Sequence, residues 1–401
     1  MGTYLPPWAT AGGRVPGEDE DVVTMAVAAG LAATAPRALA TPTITRVELI
    51  SRDLPLLEGG NGAALLAGLG LPSDIEIREQ IGGAPAALEA VAGAAPGTLV
   101  IAADVKGGAG AAAAVIGTAG VALSVTGRVS RSLPVTTRDA HGAVSDYSDP
   151  RLLRERGVSL SLEQVGVTGK VAVVAGLGGR DAAQLSVGDP PAVPTLGASS
   201  ALFAVASLAE RRDGGRVLAV EQATVALAEL SSGSVAVCRD EPAPRPPLEL
   251  RPARDAEIAI SLAAYERAFD AKLRLRAARC LTCGTLSYPH RLRCLGCGSE
   301  GPVDTVPLPR DAEVYTLATI HVPVPGLATP YTVVLVELGD SGVRLLGRLT
   351  GVPAGSVAIG DRGSMVFRRV AVRTGVPDYG YAFLPDQPGV ATLAEQEGVA
   401  S

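Results

Sequence analysis

Aromatic side chains are scarce in this chain, 3% of 401 residues with a single tryptophan. Ala, Val and Leu must therefore fill the interior, and helices must approach one another closely. Histidine is nearly absent, three in all, and no cysteine precedes Cys238, so the first 237 residues offer no thiol nucleophile. Charged residues are only 19% and the net charge is −6, which argues against a general nucleic-acid binder but leaves room for a local basic patch. A long hydrophobic run is also missing. Residues 107–127 are uncharged throughout and long enough to span a bilayer, yet they are mostly Gly and Ala, with Gly117 and Gly120 in mid-course. Two short buried strands fit that stretch better than a membrane helix. The opening Met1-Gly2-Thr3-Tyr4-Leu5-Pro6 carries no signal-peptide pattern and lacks the Ser/Thr that myristoylation needs. A soluble cytoplasmic protein with no membrane partner is expected, and a hydrophobic content of 47% makes it globular.

What is present is most specific at Cys280, Cys283, Cys294 and Cys297, spaced C-x2-C-x10-C-x2-C. Two thiolate pairs, each on its own tight turn, can close a tetrahedral structural Zn2+ site with no open position for substrate. Iron or a reduced, empty cluster is the alternative. A disulfide framework fits poorly, because the one further cysteine, Cys238, reads as a buried strand residue. Zinc binding in such ribbons contributes on the order of 10 kcal/mol, and the surrounding segment lacks the apolar content to fold alone.

The sharpest change in composition is Glu241-Pro242-Ala243-Pro244-Arg245-Pro246-Pro247, which suits a stiff linker over 241–254. It divides an Ala/Gly-rich part, residues 1–240, from a β-rich part. Residues 255–279 read as helical from Ile258, Leu262, Tyr265 and Phe269 at helical spacing, and the ribbon follows over 280–300. Short runs at 314–322, 331–338, 343–349 and 364–372, punctuated by Pro325-Gly326, Gly339-Asp340, Gly351 and Gly360, predict a small antiparallel barrel of OB size over 301–386, with a tail at 387–401. The first part carries an internal repeat: residues 83–92 and 197–206 agree at seven of ten positions. Each copy leads into a strand, at 98–103 and at 216–220. The repeated segments are apolar nearly all round, which marks helices sandwiched between sheets.

Duplicated α/β halves around paired buried helices, with Gly2-Thr3-Tyr4-Leu5-Pro6 and Glu18-Asp19-Glu20-Asp21-Val22-Val23-Thr24-Met25-Ala26, resemble the thiolase fold in its hydroxymethylglutaryl-CoA synthase branch. The stretch is short for that fold. Beyond it, Cys280, Cys283-Gly284, Tyr288-Pro289-His290-Arg291 and Cys294-Leu295-Gly296-Cys297, continued by Val314-Tyr315-Thr316, Pro330-Tyr331 and Leu345-Leu346-Gly347-Arg348, resemble the family that joins a rubredoxin-like zinc ribbon to an OB fold beside thiolase-type enzymes of acyl-CoA. His290 and Leu295 stand where prolines are usual. The fold class so implied is a layered α/β thiolase-like domain of duplicated halves, then a zinc ribbon and a small antiparallel OB-fold barrel.

The thiolase resemblance places the acyl-accepting cysteine at Ile81, the general-base glutamate at Arg52 beside Asp53, and the Gly-Ser-Gly-type turn at Glu221-Gln222-Ala223-Thr224. The catalytic histidine has no match in residues 142–240. Asp53, Tyr147 and His141 remain the weak catalytic candidates, Tyr147 as an acid or base and His141 as the domain's only histidine; ordinary surface or structural roles compete for the last two. Lys272, Arg274, Arg276, Arg279, Arg291 and Arg293 make a basic cluster able to meet the phosphates of coenzyme A, or equally a solvated helix face. The leading expectation is a non-catalytic or partner-dependent subunit of a thiolase-type acyl-CoA acyltransferase or carbon–carbon bond-forming or cleaving complex, whose partner is a thiolase-type chain or a second copy. The alternatives are a self-sufficient acyltransferase or aldolase with a non-cysteine site, and a nucleic-acid-binding ribbon and barrel.

Overall fold

The computed structural model describes residues 1–35, 42–55, 60–139, 143–251, 259–322 and 326–386. His141, Ile258, Pro325 and the tail 387–401 lie outside the described residues. Two compact units form. The first comprises Met1–Pro16, Met25–Gly62 and Asp74–Ala243; the second comprises Gly17–Thr24, Ala63–Ser73 and Pro244–Ser401.

The first half of the N-terminal region runs β1 (Gly2–Tyr4), α1 (Val22–Thr34), β2 (Arg46–Ser51), α2 (Asn61–Leu69), β3 (Glu76–Ile81), α3 (Ala84–Gly93), β4 (Thr98–Asp104) and β5 (Gly110–Val115). The second half runs β6 (Leu123–Ser130), β7 (Val173–Ala175), α4 (Gly179–Leu185), α5 (Ser199–Glu210), β8 (Gly215–Glu221) and β9 (Thr224–Leu230), and β10 (Cys238–Asp240) returns to the first sheet. One sheet has the order β10-β1-β5-β4-β2-β3 and the other β7-β8-β9-β6. The two are built alike. β2 lies parallel to β4 as β7 lies parallel to β8; β4–β5 and β8–β9 are antiparallel hairpins; β5 pairs antiparallel with β1 as β9 does with β6. Even the β2–β3 pairing has its remnant, a single parallel bridge between Val171 and Ser186. The repeated sequence thus corresponds to a repeated α-β-β unit, in the layered α/β arrangement expected of a thiolase-like fold.

Helices α3 and α5 meet each other between the two sheets. Their alanines, and Ala111 to Ala114 in β5, keep the layers close, while Leu88, Leu202, Phe203, Val100, Val217 and Leu230 supply the bulk of the core. α5 is buried almost all round, as expected, but α3 is buried only at Ala84, Pro85, Ala87 and Leu88. The 107–127 stretch also departs from expectation. β5 is buried, but β6 closes the edge of its sheet with alternate residues exposed, because no further strand covers it among the described residues.

In the second unit, α6 spans Leu262–Leu273, so the expected helix over 255–279 is too long. Leu275 takes a left-handed φ of 48°, which a bulky side chain rarely adopts, and the chain leaves as β11 (Arg276–Cys280) in a sheet with β12 (Leu286–Ser287) and β13 (Val303–Pro307). Leu262, one of the residues at helical spacing, is 71% exposed. The barrel has five strands, β14 (Asp311–Ile320), β15 (Tyr331–Leu338), β16 (Arg344–Arg348), β17 (Arg362–Arg373) and β18 (Val376–Pro385), in the order β16-β15-β14-β17-β18. A parallel bridge from Leu349 to Phe383 closes it, as an OB fold requires. β18 was not expected from the sequence. Phe367, stacked on Tyr379 at 5.4 Å and edge-on to Tyr381, forms the aromatic core of the barrel, whereas Tyr315 lies half-exposed under the Arg344 guanidinium and belongs to no core. Two short N-terminal stretches complete this unit. Arg368 pairs with Glu20 at 3.3 Å, Tyr379 donates to Asp21 at 3.0 Å, and Arg310 and Arg274 donate to the carbonyls of Gly68 and Leu71. None of the described helices is long and apolar enough to cross a membrane.

Candidate functional site

The four ribbon cysteines sit on two matching turns. Gly284 N–H donates to Cys280 O and Cys280 N–H to Thr285 O; in the second turn Gly298 N–H donates to Cys294 O and Cys294 N–H to Ser299 O. Gly284 and Gly298 have φ of 77° and 71°, the left-handed region that glycine enters without strain. Each turn thereby aims two sulfurs inward. All four Sγ atoms lie within 4.8 Å of one another, with Cys280 to Cys297 at 3.8 Å and Cys283 to Cys294 at 3.5 Å. A tetrahedral Zn2+ with Zn–S bonds of about 2.3 Å needs sulfurs about 3.8 Å apart, so the donor set fits the ion. Gly296 N–H points at Cys294 Sγ. Cys238 is buried in β10, outside this cluster.

A second constellation gathers where α3 begins. Ile81 ends β3 with 68% of its surface exposed, and Gly82-Gly83 lead into the helix. The Gly83 amide donates to Glu221 Oε2 at 2.9 Å, and Glu221 pairs with Arg52. A Cβ on Gly83 would collide with the Glu221 carboxylate. Burial lowers the Arg52 pKa, and the charges of Asp104 and Asp53 oppose that shift. Asp53 accepts from the amides of Val105 and Lys106 at 2.9 and 3.1 Å, so its carboxylate is engaged in holding backbone. Tyr147 follows the hairpin strand Val144–Asp146 and is exposed, with its amide bonded to Val135 O. The structure brings Arg52, Asp53, Asp104 and Glu221 together and leaves Tyr147 outside the group.

Sequence reasoning missed Asp104 and Glu221 as partners in one device. Asp104 closes β4 and reaches across to the start of α5, accepting from Ala198 N, Ser199 N and Ser199 Oγ at 2.8, 2.7 and 2.5 Å. Glu221 closes β8 and reaches back to the start of α3. Each half thus supplies a carboxylate to the helix N-terminus of the other, where the amides are otherwise without partners. A Cβ at Gly197 would meet Asp104 as one at Gly83 meets Glu221. The two equivalent glycines of the repeat are what let the carboxylates approach. Burial pushes the Asp104 carboxyl up to about 6, against the pull of its bonds to Ser199 and Ala198, with the charge of Asp53 adding to the rise.

The expected basic cluster is largely committed within the protein. Lys272 pairs with Asp378 at 2.6 Å, Arg274 with Asp270, Arg279 with Asp304 and Arg293 with Glu300, and Arg276 donates to Thr305 O. Of this cluster only Arg291, beside the cysteines, has no partner among the described residues. Arg276 and Arg279 stand on β11 rather than on the helix expected there. The Arg279 and Arg293 pairs are half-exposed or more, a setting in which ion pairs are weak and a phosphate can compete.

Residues 270–303 match the sequence family described as the ChsH2 rubredoxin-like zinc ribbon domain, and residues 305–368 the ChsH2 C-terminal OB-fold domain. A DUF35 domain-containing scaffold protein of Methanothermobacter thermautotrophicus is 30% identical over 115 residues, 28% of this chain and 86% of that protein. Benzoylsuccinyl-CoA thiolase subunit BbsA of Thauera aromatica is 31% identical over 110 residues, 27% of this chain and 74% of that subunit. Over the N-terminal part, the HMG-CoA synthase PksG from Bacillus subtilis is similar at 14% identity with a TM-score of 0.41, covering 55% of this chain and 71% of that one.

Proposed function

Because the chain belongs, through its ribbon and barrel, to the family of DUF35 domain-containing scaffold proteins, we propose that it serves as a non-catalytic, partner-dependent subunit of a thiolase-type acyl-CoA complex. The observation that carries this reading is the filled entrance of α3. In a thiolase-like site the helix N-terminus lowers the pKa of a cysteine and its neighbourhood binds the developing oxyanion. Here Ile81 takes the place aligned with the thiol, and the first amide of the approach is occupied by Glu221, itself neutralised by Arg52. With that amide already donating to Glu221 it is not available to a thiolate or an oxyanion, and Asp53 is held by two amides rather than free as a base.

Chemistry then falls to a second chain. Strand β3 is the outer strand of its sheet, ending in the exposed Ile81, and an unpaired edge is a natural place to extend the sheet into a partner. The ribbon, fixed by its four cysteines and Zn2+, would hold Arg291, Arg293 and Arg279 where they can meet the phosphates of a CoA thioester, so that remote binding energy positions the acyl group. That BbsA is a thiolase subunit supports the choice of partner class.

The test is expression of the chain alone and together with a cysteine-bearing thiolase-type chain from the same source, with co-purification and thioester turnover measured on each preparation. A stable complex active only with both chains is expected. Turnover by the single chain would overturn the reading and direct mutagenesis to Asp53 and Tyr147.

A further inference from the structure

The second unit contains a groove of about 280 Å³ along α6, lined by Ile260, Ala264, Tyr265, Ala268, Phe269 and Leu273 on its apolar walls. Ala264 and Ala268, one turn apart on the same helix face, leave the space that larger residues would fill. Tyr265 and Phe269 stand edge to face with centroids 5.9 Å apart, making one wall aromatic. The lining runs from Ser261 to Lys272, about 16 Å of helix at 1.5 Å per residue, and it is open to solvent at Ser261, Ala264 and Ala268.

Its polar end is cationic. Lys272 Nζ donates to Asp378 Oδ1 at 2.6 Å and Arg373 Nε to Asp378 Oδ2 at 3.0 Å. Both oxygens of this largely buried carboxylate are thereby used, and two cations share one anion. Among the described residues the terminal nitrogens of Arg373 have no protein acceptor and Lys272 has only the one, although both residues line the groove. Burial and the Asp378 charge raise the Tyr265 pKa, so its phenol remains a neutral donor. Uncommitted donors and one surplus positive charge at the end of an apolar trough form the complement of an amphiphilic anion.

We propose that this groove binds an elongated organic anion, an aliphatic or aryl chain ending in a carboxylate or a phosphate, with its body along Ala264, Ala268 and the Tyr265–Phe269 pair and its head at Lys272 and Arg373. Among the described residues the groove is lined by α6, the two residues before it and the β17–β18 hairpin, so the inference does not depend on the subunit reading or on a second chain.

The experiment is calorimetric titration of the full zinc-loaded chain with octanoate, octyl phosphate and, as an uncharged comparator, 1-octanol. Saturable binding of at least one anion is expected, tenfold or more tighter than octanol and weakened by added salt; which head binds better separates a carboxylate from a phosphate ligand. Ala268→Phe, which fills the trough, should weaken that anion at least tenfold while melting temperature and zinc content stay unchanged, and Ala264→Leu provides a second filling variant should the first misfold. Binding of no anion, equal binding by the filled variants, or octanol binding as tightly as octanoate would overturn the proposal.

Discussion

Glu221→Ala removes the carboxylate that one half of the N-terminal fold lends to the helix of the other, and the structure fixes what that should cost. The lost interactions are one hydrogen bond to Gly83 N–H and an ion pair to Arg52, whose side chains are 20% and 43% exposed. Loss of a helix N-terminal acceptor costs about 1 kcal/mol, and the exposed half of the pair adds little after solvent screening. In a domain of this size that corresponds to a fall of about 2–4 °C in melting temperature. Asp104→Ala is the control within the same molecule. It strands the Ala198 and Ser199 amides in a site with almost no solvent, while Ser199 Oγ keeps Thr195 Oγ1 at 2.8 Å; at about 1–3 kcal/mol for each amide left without a partner, its loss should be at least twice as large. Differential scanning calorimetry of the two variants at pH 7 reads both. Because Glu221→Ala also frees the Gly83 amide and Arg52 for an outside anion, acetate should raise its melting temperature and leave the wild type unmoved. A Glu221→Ala variant as stable as the wild type, or no weaker than Asp104→Ala, would refute the reasoning.

Asp104 also makes stability depend on pH. Its carboxyl is raised from 3.8 to about 6, so the folded state holds the proton more tightly than the unfolded chain does. The resulting stabilisation is fully present below about pH 4 and is lost as pH rises through 6, with an upper size of ~3 kcal/mol for a shift of about two units. Relative to Asp104→Asn, which does not titrate, the wild type should gain stability between pH 6.5 and 4 in urea melts; a flat difference contradicts this. Removal of zinc by a chelator, or Cys283→Ser, should abolish hydrogen-exchange protection in β11 to β13 while β14 to β18 keep theirs, since binding energy on the order of 10 kcal/mol is concentrated on the ribbon; protection that survives in zinc-free protein would count against a structural metal. Arg368→Met should cost about 3–5 kcal/mol by removing the countercharge of Glu20, in a pair only 4% and 2% exposed, although Glu20 still accepts from the Gly17 amide at 2.7 Å; urea melts check it, and a variant with no loss rejects the buried pair.

How much of this was legible in the sequence depended on whether the deciding interaction was local. The ribbon was, because C-x2-C with its glycine is a complete structural instruction within five residues. Four barrel strands were, because alternation over β15 reads directly as Thr332, Val334, Val336 and Leu338 inside. β18 was not, since Pro377, Gly380 and nearly continuous burial erase its alternation. The helix expected at α6 runs too far because helical spacing continues numerically past Leu273, while the pairing of Arg276–Cys280 with Val303–Pro307 that ends it comes from residues 23 to 31 positions away. β6 departs from expectation for a related reason: a segment with no charge before Arg128 reads as buried until its place at a sheet edge is known.

The candidate site was legible as an absence only. A missing thiol and a missing glycine turn say what the α3 entrance lacks, whereas what replaces them is a pairing between positions 83 and 221 that no spacing rule connects. The duplication makes that replacement interpretable. At the start of α5 the equivalent position is sealed, with Asp104 saturated by three donors and buried. At the start of α3 the carboxylate holds one amide, its partner Arg52 reaches solvent, and Ile81 lies open beside it. Two copies of one device, under the same packing constraints, therefore differ in access. A purely architectural cap gains nothing from exposure, which weakens its hydrogen bond and screens its charge. The asymmetry thus marks the α3 entrance as the half of the duplicated fold that stays reachable from solvent, with the Arg52–Glu221 pair at its mouth.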